Sequence, residues 1–298
     1  MRSKKKKLNR SEELWAWLFV LPATLLLFGF LLIPLVVSFV MSFMQWNIVA
    51  APSFNGLDNL REIFSDGVFL KSIGNTFFMM IGIPIGMFLS FLLAVALNRN
   101  MPLSGFFKVV YYLPAVTSGV AVAVVWKWIF NQEYGILNKL IGLFGVEDLP
   151  NWLGDVRFIK PAFILMGIWA GLGNTMLLFL ASLRNIDQSY YEAAELDGAS
   201  AAVKMFRISL PLVSPVTFYI LVMGLIGGLQ AFGQVYVMTP GGGLDNSAMT
   251  MVYYIWQKGI EGERMGLASA AAWVLALFTF AITFIQFIVR KYWVKEIE

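Results

Sequence analysis

The chain has 298 residues, 59% of them hydrophobic and 13% charged, with a formal net charge of +4 and a mean hydropathy of +0.73. Soluble domains run nearer to about 45–50% apolar and about 25% charged, so these figures place the chain among polytopic membrane proteins. It has no cysteine and no histidine, which excludes disulfides, thiol chemistry, most zinc and haem sites and every His-based triad.

The chain opens on a basic tail, residues 1–13, with Arg2, Lys4, Lys5, Lys6, Lys7 and Arg10. Beside an apolar run, such a cluster is a topology and headgroup signal, not a nucleic-acid patch. The run that follows, Leu14–Phe43, is far longer than the 7–15-residue core of a signal peptide and reads as an uncleaved span. A spanning helix needs about twenty apolar residues. Five more stretches qualify: Ile73–Leu97, Phe106–Ile129, Pro161–Leu183, Leu212–Met238 and Leu267–Val289. Pro22 and Pro34 predict a kink in the first span.

Between the spans, residues 45–70 read as a turn and a short amphipathic helix. Lys127 near the end of the third span reads as snorkelling, with Trp126 and Trp128 as an interfacial belt. Residues 131–157, with Trp152, read as lying along the interface. Thr239-Pro240-Gly241-Gly242-Gly243 is a breaker cluster that ends a helix. No repeat and no second soluble domain is visible. With the N-terminus inside, 14 of the 22 basic residues fall on inside segments and 8 on outside ones, so both termini and the 184–211 loop are expected in the cytoplasm.

That loop is polar and long for such a chain. Ser189 with Glu192 three positions on fits a capping box. Ala193 and Ala194 favour helix, and Gly198 predicts a left-handed stop. A second short helix is expected over about Ala199–Phe206, with Leu210 pushed out of the helical region before Pro211. The fourth and fifth spans carry Trp169, Gly171, Gly173 and Asn174, then Gly224, Gly227, Gly228, Gln230 and Gln234. Amides in hydrocarbon need partners, which favours a pathway for Asn174, Gln230 and Gln234. The glycines fit either a pathway or close helix packing.

Absences narrow the function. No Asp or Glu lies in the six stretches, which weakens the alternative of an ion-coupled secondary carrier of small polar solutes. A membrane-embedded enzyme has no His, Cys or acidic pair to work with. No Gly-x4-Gly-Lys-Ser/Thr motif occurs, so any nucleotide must be held by another chain.

Glu192-Ala193-Ala194, three residues, Gly198, nine residues, then Ile208-Ser209-Leu210-Pro211 resembles the EAA motif of ABC importer permeases. Phe54-Asn55-Gly56-Leu57-Asp58-Asn59-Leu60 and the run Gln230–Thr239 resemble segments of the carbohydrate-uptake branch, such as the maltose and glycerol-3-phosphate systems. Where that branch usually has Gly-Gly-Pro, this chain has Pro240-Gly241-Gly242-Gly243. The resemblance implies an all-α permease of type I ABC importer architecture, with six transmembrane helices and one membrane domain over 14–298. It implies sugar import across a bacterial or archaeal inner membrane, with no catalysis by this chain. Glu192, Ala193, Ala194, Asp197, Gly198, Leu210 and Pro211 would couple it to an ATPase. The expected partners are a second permease, two ATPase subunits that bind the ATP and Mg, an extracytoplasmic sugar-binding protein and the lipid bilayer. No cofactor and no nucleic acid is expected on this chain. The maltose relative's sugar-holding positions fall on Gly167, Ala170, Gly171 and Asn174, then Gly224, Gly228 and Ala231. Several of its polar ligands are glycine or alanine here, so the sugar geometry does not carry over. The resulting pathway set is Trp169, Gly171, Asn174, Gly228, Gln230 and Gln234.

Overall fold

An apolar chain in hydrocarbon must satisfy its backbone internally, and helix is the local solution. The computed structural model describes residues 10–98 and 102–294. Arg2 to Lys7, Arg99 and Lys295 of the basic segments lie outside these described residues. Among the described residues, four helices are long and apolar enough to cross a membrane: Leu14–Met41 (span 1), Gly67–Leu97 (span 2), Ile159–Arg184 (span 4) and Met265–Trp293 (span 6). Two bent pairs make six if each crosses as one broken span. These are Ser104–Val116 with Gly119–Ile129, bent by 103° (span 3), and Ala201–Leu212 with Ser214–Leu229, bent by 66° (span 5).

The departures from expectation have local causes. Span 2 starts at Gly67, not Ile73, because the Asp66 carboxylate caps it by accepting the Val68 N–H at 2.8 Å. Span 3 is not one straight helix: Thr117 and Ser118 are extended and turn the chain. Span 5 ends at Leu229, not Met238; Phe232 (φ −141°, ψ −64°) breaks it, and Gly233–Met238 is a separate short helix. In span 1 the expected distortion is a π turn, Phe28–Leu32, just before Pro34.

Two apolar cores result, one at each end of the bundle. At the loop end, Phe91, Leu97, Phe179, Leu183, Ile186 and Val213 pack together from spans 2, 4 and 5. At the far end, Ile63, Phe69, Phe130 and Ile159 pack around Met249, Met251, Tyr253 and Tyr254. That second set was not legible in advance. The breaker cluster does end a helix at Met238, but the chain then returns inward as a further helix, Met251–Trp256. Residues 45–70 form the expected amphipathic helix, Asp58–Ser65, preceded by a hairpin pairing Met44–Gln45 with Ser53–Phe54.

Polar bonds hold the returning segment. The Asn75 amide donates to the carbonyls of Asn246 (2.9 Å) and Met249 (3.0 Å), and the Thr250 hydroxyl donates to the Ala231 carbonyl at 2.7 Å. Arg264 forks onto Glu62, and its guanidinium holds that carboxyl below the usual carboxylate range. Asn75→Ala would leave two carbonyls without their donor, at about 1–3 kcal/mol. Thermal unfolding in detergent is expected to shift downward, and an unchanged midpoint would show that Asn75 does not anchor this segment.

Trp128 is half exposed, which a belt residue requires, whereas the belt reading fails for Trp126. Trp126 is buried against Phe130 (ring centroids 4.9 Å) and Trp169 (5.5 Å). Trp152 likewise faces inward. Its indole N–H donates to Asn138 Oδ1 at 2.7 Å.

Candidate functional site

The 184–211 loop is two helices and a tight turn. The first, Gln188–Leu196, is capped by Asp187, whose carboxylate accepts the Ser189 N–H at 2.9 Å. The cap thus falls two residues before the expected Ser189, and the expected pairing with Glu192 gives way to it. Gly198 stands at φ +73°. Its N–H donates to the Glu195 carbonyl (3.0 Å), and the Ala199 N–H donates to the Ala194 carbonyl (2.8 Å). That paired pattern is a Schellman stop, which satisfies the last carbonyls and requires a left-handed residue where only glycine is free of strain.

The second helix is longer than expected. Ser200 caps Ala201–Lys204, a π turn follows over Met205–Ser209, and helix continues through Leu210–Leu212. Leu210 is helical (φ −61°, ψ −45°), contrary to expectation, and the boundary falls at Val213. The π turn supplies the reason. It sends the Leu210 N–H back to Met205, so Pro211 falls in the first turn of a new helical stretch, where proline is tolerated. The two helices are tied by Lys204–Glu195 (2.6 Å) and by Tyr191 Oη with Ser209 Oγ (2.9 Å). Tyr191, Met205 and Leu210 pack on the loop-end core. Glu192, Ala193 and Asp197 are exposed, and Leu196 is 91% exposed. The loop is therefore a stiff unit with an uncovered tip.

Between spans 2, 4 and 5 lies a cavity of about 490 Å³. Gly167, Gly171, Asn174, Gly224, Gly228, Ala231 and Gln234 line it, together with Thr175, Tyr219 and Met80, and no charged side chain is among its lining. Of the positions singled out from sequence, Trp169, Ala170, Gly173 and Gln230 are not on this wall. Trp169 stands edge-on to Trp126, and Gln230 follows the end of span 5, exposed. Thr175 and Tyr219 were missed. For Thr175 the signal was helical phase, since it shares a face with Gly171; Tyr219 had no such signal.

The glycines divide. A Cβ at Gly173 would overlap the Tyr111 carbonyl, and one at Gly224 or Gly228 would stand 2.9 Å from Ile83. Those three are packing glycines. Gly167 and Gly171 meet nothing within 4 Å and open onto the cavity.

The family described as binding-protein-dependent transport system inner membrane component matches residues 82–298. The chain belongs to that family. The match takes in most of the cavity wall, the loop and span 6, and leaves span 1, the hairpin and the start of span 2 outside. The chain is 33% identical over 295 residues to the probable ABC transporter permease protein YesP of Bacillus subtilis, covering 98% of this chain and 95% of that one. It is 32% identical over 285 residues to the lactose transport system permease protein LacF of Rhizobium radiobacter, covering 94% and 95%. A solved bacterial alginate ABC transporter, in complex with an alginate pentasaccharide-bound periplasmic protein, has the same fold. Its matching chain gives a TM-score of 0.82 at 24% identity over 95% of each chain. The protein is accordingly a multi-pass inner membrane permease component, and not an enzyme.

Proposed function

We infer that the chain is one permease subunit of an ATP-driven importer that moves a sugar into the cytoplasm through the cavity. One observation carries this reading: span 4 and the Ser214–Leu229 half of span 5, which wall the cavity, adjoin the two ends of the stiff loop. A partner that grips the loop must then move the cavity wall. Glu192, Ala193, Ala194, Asp197, Gly198, Leu210 and Pro211 form or support the gripped element, and the partner is a separate ATPase that binds the ATP and Mg.

A volume of about 490 Å³ is within the common range for small-molecule sites. Its neutral lining, with Asn174, Thr175, Tyr219 and Gln234 as hydrogen-bonding groups, suits an uncharged polyhydroxy solute. LacF, a lactose system permease, is a relative that points to the same solute class. An ion-coupled carrier finds no acid on this wall. The basic-residue count supports a 14–298 membrane domain with both termini and the 184–211 loop on the cytoplasmic side. A second permease completes the pathway, two ATPase subunits drive it, and an extracytoplasmic sugar-binding protein delivers the solute.

Asn174→Ala and Gln234→Ala each remove hydrogen bonds to the passing sugar, about 0.5–1.5 kcal/mol apiece. Transport into vesicles carrying the assembled importer should fall roughly two- to tenfold, with sugar binding by the extracytoplasmic protein unaltered. Parental rates in both variants would remove these amides from the pathway.

A further inference from the structure

The segment between spans 3 and 4 has its polarity reversed. Its helix, Ile136–Gly142, turns Asn138 inward: that amide donates to the carbonyls of Gln132 (3.0 Å) and Pro150 (2.9 Å) and accepts from Trp152. The opposite side is apolar and uncovered. Ile136 is 47% exposed, Leu140 51%, Leu143 81% and Phe144 88%. At about 100° per residue these four fall within an arc of about 100°, with Lys139 at its edge. A continuous apolar stripe of this size on a bundle's end needs something to cover it.

The position of the helix identifies the cover. Gly135, the residue before it, sits against the carbonyl of Ile129, the last residue of span 3, so closely that a Cβ there would clash. Phe130 packs on Trp152 (5.6 Å), and Trp152 holds Asn138, so only one aromatic layer separates the helix from the end of the span. The exposed pair Lys127 and Trp128 marks the headgroup level at that same end. The stripe therefore begins close to that pair in the fold. We propose that residues 136–144 lie flat in the bilayer surface opposite the coupling loop. Ile136, Leu140, Leu143 and Phe144 enter the acyl boundary, and Lys139 reaches out to a headgroup phosphate. The segment fixes how deep the far end of spans 3 and 4 sits, whatever solute is carried.

The chain has no cysteine, so single spin labels can be placed cleanly in the full chain reconstituted into phosphatidylcholine–phosphatidylglycerol liposomes. Labels at Phe144→Cys and Leu140→Cys are expected to favour oxygen over a water-soluble nickel complex several-fold more than a label at exposed Glu147→Cys. Two sites are used because either label could disturb its own neighbourhood. If both match Glu147→Cys, the stripe faces water and the proposal fails. It fails equally if both become nickel-protected only when a second permease or the sugar-binding protein is added, because the cover is then a protein.

Discussion

Vesicles carrying Gly198→Val or Gly198→Asp in the assembled importer are expected to insert the chain at parental levels and to show no sugar uptake. The loop's first helix stops in a Schellman turn that needs φ +73° at this residue. A side chain there costs about 1–2 kcal/mol in the left-handed region, and a β-branched one is a genuine outlier. No atom lies within 4 Å of where the Cβ would stand, so the bundle loses no packing and should fold. What changes is the angle between the two loop helices and the shape of the exposed tip around Leu196. Asn and Asp tolerate the left-handed region best among residues with side chains, so Gly198→Asn, which adds a side chain without Asp's charge, separates the demands. Recovery with Gly198→Asn assigns the defect to backbone conformation, whereas a dead Gly198→Asn chain assigns it to space needed by the ATPase. Glu192→Ala should also abolish uptake. Glu192 is exposed, and exposed substitutions usually change stability by no more than about 0.5 kcal/mol. Parental transport by Gly198→Asp would count decisively against docking at this loop.

Two glycines in span 4, two residues apart, should fail in opposite ways. Gly171→Leu fills open cavity: its Cβ meets nothing within 4 Å, so yield and thermal midpoint should hold while uptake is lost to obstruction. Gly173→Leu drives a side chain into the Tyr111 carbonyl and the Tyr112 backbone. The Ser104–Val116 helix must then retreat, at a cost of at least about 1–3 kcal/mol. The folded yield should fall along with transport. The paired readout is membrane yield against uptake. A well-folded Gly171→Leu chain that transports normally would show that the sugar does not pass this wall, and a stable Gly173→Leu chain would show that spans 3 and 4 can separate without harm.

Much of this was legible in residue order because the controlling physics is local. Hydrocarbon forces apolar runs into helix, so the candidate crossings, four unbroken helices and two bent pairs, could be located from hydropathy. Gly198 could be assigned its left-handed turn because its neighbours Ala193 and Ala194 favour helix and it does not. Caps and breaks were less legible. Asp187 displaced Ser189 as the cap, and the π turn over Met205–Ser209 kept Leu210 helical when Pro211 alone argued otherwise. Local rules can compete, and one-dimensional reading does not rank them.

The sequence by itself determined the class of protein, the crossings and the chemistry of the loop, since composition, hydropathic run length and turn residues act over a few neighbours. Only the tertiary structure decided which glycines pack and which face space, because an absent side chain has the same one-letter code in a tight crossing and in a cavity. Burial of the Met251–Trp256 helix and the outward turn of Ile136, Leu140, Leu143 and Phe144 depend on contacts such as Asn75 with Met249 and Trp152 with Asn138. The first of these joins residues 174 positions apart in the chain, beyond the reach of any local rule.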